Sequence, residues 1–195
     1  MKKLPRSFYT RSALLVAQDL LGKILVRKIE KTILSGKIVE VEAYLGVKDP
    51  ASHAYRGKTK RNEVMFREGG YLYVYFTYGM HFCANVVTGR QGAGEAVLIR
   101  ALEPVTGIEV MKRKRGFAKS TGATHTLTDG PGKLCQAFGI KGKDNGSDFL
   151  GNKIFLIDGD SIPKAHIGTS TRVGISRGKE KKWSFFVKRN KWVSR

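Results

Sequence analysis

The sequence predicts a mixed α/β (α+β) fold: a single domain over residues 1–195, built on a central, largely antiparallel β-sheet with peripheral helices and a protruding β-hairpin. Three observations predict it. β-prone runs outnumber helical ones, and they are joined by hairpins and loops instead of the long helical crossovers that parallel strands need. A chain of 195 residues suits one core. No internal repeat or biased linker divides it.

In order along the chain, Thr10 is placed to cap a helix running to about Leu21, with Gly22 in the stop position. A strand follows near Lys23–Ile29. Ser35-Gly36 reads as a turn into Lys37–Leu45, whose alternation puts Val39, Val41, Ala43 and Leu45 on one face and Glu40, Glu42 and Tyr44 on the other. Residues 46–70 read as a long loop, of the kind that is usually functional or mobile. Two β-prone runs around Thr77-Tyr78-Gly79-Met80 form the hairpin. Gly92-Ala93-Gly94 is a turn before a strand over Ala96–Leu102. Thr106-Gly107-Ile108-Glu109 resembles a capping box for a short helix ending in Lys112–Arg115, cations suited to the negative end of a helix dipole. Pro131 starts a helix that stops at Gly139. The C-terminal third gives strands at Lys153–Ile157, Arg172–Ser176 and Trp183–Lys188.

Charge is the first functional clue. Lys and Arg number 36 against 16 Asp and Glu, a net +20 that solubility does not require and that points to a polyanion. Nucleic acid fits best, because attraction to phosphates is long-ranged and independent of sequence. A membrane partner is not expected. No run approaches the roughly 20 apolar residues of a membrane span, and Met1–Arg6 lacks the apolar core of a signal peptide. A cytoplasmic (nucleoid) or nuclear location, not a secreted one, is therefore expected. Cys83 and Cys135 lie in separate apolar contexts and read as free buried thiols.

No metal or cofactor is expected. The four histidines, His53, His81, His125 and His166, have no ligand-like spacing, and neither a zinc-deaminase signature nor a Walker-type phosphate loop is present. A carboxylate and aromatic constellation remains. Glu40, Glu42 and Tyr44 share a strand face that reads either as solvated polar surface or as a carboxylate beside an aromatic wall, able to hold a water and take its proton. Tyr71, Tyr73 and Tyr75 form a stripe that is either sheet packing or a platform for an unstacked base, each such stack contributing roughly 1–3 kcal/mol. Tyr78 is odder: a large aromatic at a hairpin tip has little to pack on unless it inserts into something else.

These residues match a family. Val39-Glu40-Val41-Glu42-Ala43-Tyr44-Leu45-Gly46, Asp49-Pro50-Ala51-Ser52-His53, Arg61-Asn62-Glu63-Val64-Met65-Phe66, Leu72-Tyr73-Val74-Tyr75-Phe76-Thr77-Tyr78-Gly79-Met80, Val97-Leu98-Ile99-Arg100-Ala101-Leu102-Glu103-Pro104 and Gly130-Pro131-Gly132-Lys133-Leu134-Cys135-Gln136-Ala137 together resemble the alkyladenine (3-methyladenine) DNA glycosylases. Any one block is weak; six in order over nearly the whole chain are specific.

The resemblance implies a monofunctional enzyme of base-excision repair that flips damaged purines out of double-stranded DNA and hydrolyses the glycosidic bond, acting as a monomer. Glu42 is similar to that family's water-activating glutamate. Tyr44, His53 and Tyr75 resemble walls of its base pocket, and Asn85 the asparagine that disfavours the exocyclic amino group of guanine. Tyr78 resembles the residue that fills the gap in the duplex. Arg100 resembles a residue at the DNA backbone, and Met65 and His81 are minor-groove candidates, next in line as wedges. Two rivals stand beside this reading: a non-catalytic nucleic-acid-binding module, whose usual aromatic signature is absent, and a glycosylase with coupled lyase activity, for which no lysine is singled out by an apolar setting.

Overall fold

A computed structural model describes residues 2–117 and 124–194. Its frame is one sheet of eight strands: β1 (Ile24–Ile29), β2 (Thr32–Leu45), β3 (Leu72–Thr77), β4 (His81–Thr88), β5 (Glu95–Thr106), β6 (Ile154–Ile157), β7 (Ile167–Ser170) and β8 (Ser184–Val187). The order is β3-β4-β5-β2-β1-β6, with β8 also on β2 and β7 on β8, and the pairings are antiparallel. The long β2 is the spine. One edge pairs with β5; the other pairs with β1 up to Lys37 and with β8 from Glu40 to Glu42.

The ladder between β2 and β5 is irregular at that handover. Ile38 pairs with Leu102, Glu40 with Ala101 and Val41 with Ile99, which leaves Val39 on one strand and Arg100 on the other without a direct partner. Bulges of this kind re-aim side chains. Here the result is that Arg100 sits between Glu40 and Glu42.

Among the described residues, four α-helices, α1 (Arg6–Tyr9), α2 (Ala13–Leu20), α3 (Ile108–Lys114) and α4 (Pro131–Phe138), complete the mixed α+β domain. α2 packs on β2, α4 on β4 and β5, and α3 on α4. The main core lies between these helices and the sheet and takes in Leu20, Val39, Val41, Ala43, Ile99, Leu134 and Phe138, each 0% exposed. A smaller cluster of Ala54, Val64, Met65, Tyr73, Val87 and Ala96 roots the loop over residues 46–70 to the strands. The predicted faces of β2 are therefore realised: Val39, Val41 and Ala43 enter the main core, with Leu45 packed against it.

Four local expectations are corrected. Thr10 ends α1 instead of capping a longer helix; α2 starts after Ser12, and its first N–H is taken by the Glu95 carboxylate at 2.8 Å. Ser35-Gly36 lies inside β2, and the turn falls at Glu30-Lys31. Gly36 is needed there because a Cβ would come within 3.3 Å of Leu102, Glu103 and Phe138. The capping box before α3 does not form, since β5 runs through Thr106 and the left-handed Gly107 becomes the N-cap, leaving Glu109 to pair with Lys112 at 2.8 Å. Arg172–Ser176 is irregular backbone, and the strand lies earlier, at β7. Part of the expected polar loop over Gly116–Gly130 falls outside the described residues. Cys83 and Cys135 are free and buried. Among the described residues no helix is long and apolar enough to cross a membrane.

Candidate active site

On the loop side of the sheet, a cavity of about 440 Å³ is assembled from separate parts of the chain. β3 brings Tyr73 and Tyr75, β4 brings Cys83 and Asn85, and β5 brings Leu98 and Arg100. Tyr44 comes from the end of β2, Pro50 to His53 from the long loop, and Val173 to Ser176 close another side. The period of two explains the selection, because alternate residues of neighbouring strands share one face. Tyr73 lies opposite Asn85, and Tyr75 opposite Cys83.

The aromatic walls meet edge to face. The His53 and Tyr75 ring centroids are 4.4 Å apart with planes at 69°, and Nδ1 of His53 is 3.0 Å from the Tyr73 hydroxyl. Asn85 donates from Nδ2 to the Tyr73 carbonyl at 3.1 Å, which fixes its amide. Burial pushes the Tyr73 phenol up to about 12, against the opposing pull of Arg61. Tyr75 and Tyr44 are raised further, by burial first and then by the Cys83 thiol for Tyr75 and the Glu42 charge for Tyr44. All three are neutral hydroxyl groups at physiological pH. His53 is shifted down, by partial burial and by the Arg61 cation, so its imidazole is neutral as well. Burial raises the Cys83 thiol, which is therefore not a ready thiolate nucleophile.

Beside this slot lie two carboxylates with 0% exposure. Glu42 accepts the Val173 N–H on Oε1 at 2.8 Å and the Tyr44 hydroxyl on Oε2 at 2.8 Å, and Nη1 of Arg100 stands 3.2 Å from Oε1. Glu40 is held differently: Nε of Arg100 donates to Oε1 at 3.1 Å and the Ser194 N–H to Oε2 at 2.7 Å. Buried charges need such partners, since an isolated one would neutralise itself. The two glutamates thus share one guanidinium, and both are interior groups, not solvated surface. Glu42 is the one whose partners Tyr44, Arg100 and Val173 all line the cavity.

The structure brings Tyr44, His53, Tyr75, Asn85 and Arg100 together around one space, with Glu42 against it. Tyr78 stands at the hairpin tip, 80% exposed, where it also borders the cavity. Met65, at 2% exposure, packs in the smaller core and also lines the cavity. His81 pairs with Thr77 at the hairpin end, and its ring lies against Gly132 in a separate cavity of about 350 Å³. Sequence reading missed Arg172, Val173 and Ser194. It quoted Asp49 without a role and placed Tyr73 only in the tyrosine stripe. A backbone N–H such as that of Val173 leaves no side-chain signal at all.

An aromatic-walled cavity beside an ion-paired carboxylate is what the comparisons with known proteins must account for. The profile of the family described as methylpurine-DNA glycosylase matches residues 7–191. The chain belongs to that family. Membership makes it a DNA glycosylase, a hydrolase of base-excision repair. Relatives provisionally named 3-methyladenine DNA glycosylase include one from Carboxydothermus hydrogenoformans, 54% identical over 193 residues and 98% of both chains. Another, from Clostridium botulinum, is 48% identical over 98% of both chains, and one from Methanoculleus marisnigri is 48% identical over 195 residues and again 98% of each.

Proposed function

We propose that this glycosylase takes alkylated or deaminated purines, 3-methyladenine, 7-methylguanine and hypoxanthine, and cleaves the N-glycosidic bond with a water activated by Glu42. The observation that carries the reading is the Glu42 carboxylate pinned by Arg100, Val173 and Tyr44 against an aromatic cavity. Oε1 is occupied twice, whereas Oε2 accepts one hydroxyl and keeps capacity for a second donor, as a carboxylate oxygen has two acceptor sites. A water held there is oriented by a base that cannot rotate.

The damaged base, extruded from double-stranded DNA, lies among Tyr44, His53 and Tyr75. Methylated purines carry positive charge, so the slot stabilises them by cation–π attraction of about 2 kcal/mol when desolvated. The charge also makes the base a ready leaving group. As the bond to the sugar carbon breaks, its electron pair goes to the base nitrogen; the water oxygen bonds that carbon and its proton passes to Glu42. The buried carboxylate favours the oxocarbenium character that develops. Neutral hypoxanthine needs a proton or a hydrogen bond on the departing ring. Asn85, fixed by Tyr73, is set to disfavour the amino group of guanine. Tyr78 fills the space the nucleotide leaves, Arg100 and His81 face the DNA backbone and minor groove, and the protein acts as a monomer.

The test is single-turnover excision from methylated and hypoxanthine-containing duplexes, read as abasic sites and free base. Wild type should release both lesions and Glu42→Gln neither, with borohydride trapping no enzyme–DNA adduct. An intact duplex with wild type, or a lysine adduct, overturns the reading.

A further inference from the structure

Asp49 and Arg172 lie 123 residues apart and meet with neither side chain exposed. Nη2 of Arg172 donates to Oδ1 of Asp49 at 2.9 Å while Nη1 bonds Oδ2, a forked pair. The same Nη1 donates at 3.0 Å to the carbonyl of Ala43, the residue between Glu42 and Tyr44. The guanidinium carbon is 4.7 Å from the Tyr44 ring centroid and 5.1 Å from that of Trp183. Asp49 also accepts the N–H groups of Ala51 at 3.1 Å and Leu45 at 3.2 Å. Gly178 covers the pair, and a Cβ there would come within 3.3 Å of Nη2.

Neither residue lines the cavity, yet Tyr44 and Ala51, which they contact, both do. Arg172 precedes Val173, whose N–H holds Glu42. It also backs the Tyr44 ring, and Asp49 anchors the turn that carries Pro50, Ala51 and His53. A buried ion pair is a weak source of stability compared with apolar residues of the same shape. What a forked arginine pair supplies that apolar packing does not is direction. We propose that Asp49 and Arg172 are positioning residues of the glycosylase reaction: one strut that sets the Val173 N–H on Glu42, the Tyr44 wall and the His53 wall in mutual register. The proposal rests on the reading of Glu42 as the general base.

Arg172→Lys keeps the cation but loses the fork and the flat stack on Tyr44. The double variant Asp49→Asn, Arg172→Gln removes both charges and leaves no unpaired ion if the single change folds poorly. Each is assayed with enzyme in excess over a hypoxanthine duplex, where the amplitude reports the competent fraction and the rate constant reports only the enzyme that is folded. We expect the rate constant to fall on the order of 10²-fold, with lesion-duplex affinity within about threefold of wild type, because a misplacement of about 1 Å costs that much in chemistry but little in binding. A wild-type rate constant in the folded fraction of either variant, whatever its melting temperature, overturns the proposal and reduces the pair to a fold element. Glu42→Gln in the same assay separates the two ideas. If it excises normally the general-base assignment fails, and if it is inert while Arg172→Lys is normal, only the strut fails.

Discussion

Two glutamates two residues apart on one strand are hard to tell apart by sequence, and the difference lies in what holds them. Both oxygens of Glu40 are committed to Arg100 and the Ser194 N–H, while Oε2 of Glu42 carries only the Tyr44 hydroxyl. Glu42→Gln should therefore lower single-turnover excision by about 10²–10⁴-fold, the range of general-base contributions, with lesion binding retained. Glu40→Gln should be far milder, since its amide oxygen can still accept one of the same bonds and Arg100 keeps Glu42. Equal losses in the two variants would reverse the assignment. A second residue-scale expectation concerns His53, shifted down by burial and by Arg61. The unfolded chain takes up its proton near 6.5 and the folded one only at lower pH, so acidification through that window binds protons to the unfolded state first and weakens the fold. Once protonated, His53 repels a cationic base. Excision of 7-methylguanine relative to hypoxanthine should thus fall on acidification, and fall less in His53→Gln; an identical pH dependence in the variant would remove His53 from the slot.

The hairpin β3–β4 shows what an element can reveal. Its turn was legible because the chemistry is local: Thr77-Tyr78-Gly79-Met80 closes with the Met80 N–H on the Thr77 carbonyl at 3.2 Å. Tyr78 and Gly79 both have positive φ, 50° and 67°. Glycine adopts this region freely, whereas a tyrosine there costs roughly 1–2 kcal/mol. With 80% of its surface exposed, the ring buries little against the fold to offset that cost, which is the reason to expect its return in the complex with DNA. Tyr78→Asn should accordingly raise the melting temperature by about 2–4 °C yet slow excision from a stable duplex. A lesion opposite a mismatch, where opening costs less, should suffer less. A variant that melts earlier and excises normally would show that Tyr78 supports the fold. The strand proposed at Arg172–Ser176 shows the converse. Its residues suit a strand locally, but they are held by Asp49 and Glu42, at separations of 123 and 131 residues, and no local pattern encodes such partners.

Over the whole molecule, the antiparallel strands and the alternation of β2 were readable because each depends on spacing within one segment. The cavity was only half readable. The quoted motifs contained Glu42, Tyr44, His53 and Tyr75, which lie around one space, but burial of both glutamates was opposite to what a polar strand face suggests, because the bulge at Arg100 neutralises them from a neighbouring strand. Charge acts at the same scale. With a net +20, binding to a duplex should weaken steeply with salt, each neutralised phosphate contributing about −0.9 to the slope of log affinity against log salt. A flat dependence measured by anisotropy would contradict a phosphate-led encounter.

The bonds that hold the two glutamates reach forward along the chain, from Glu42 to Val173 and from Glu40 to Ser194, spans of 131 and 154 residues. Such contacts form late, after loop closure has been met by the rest of the sheet. The strands up to β5 thus bring the aromatic walls, both glutamates and Arg100 together, whereas the bonds from Val173 and Ser194 wait for the C-terminal third of the fold.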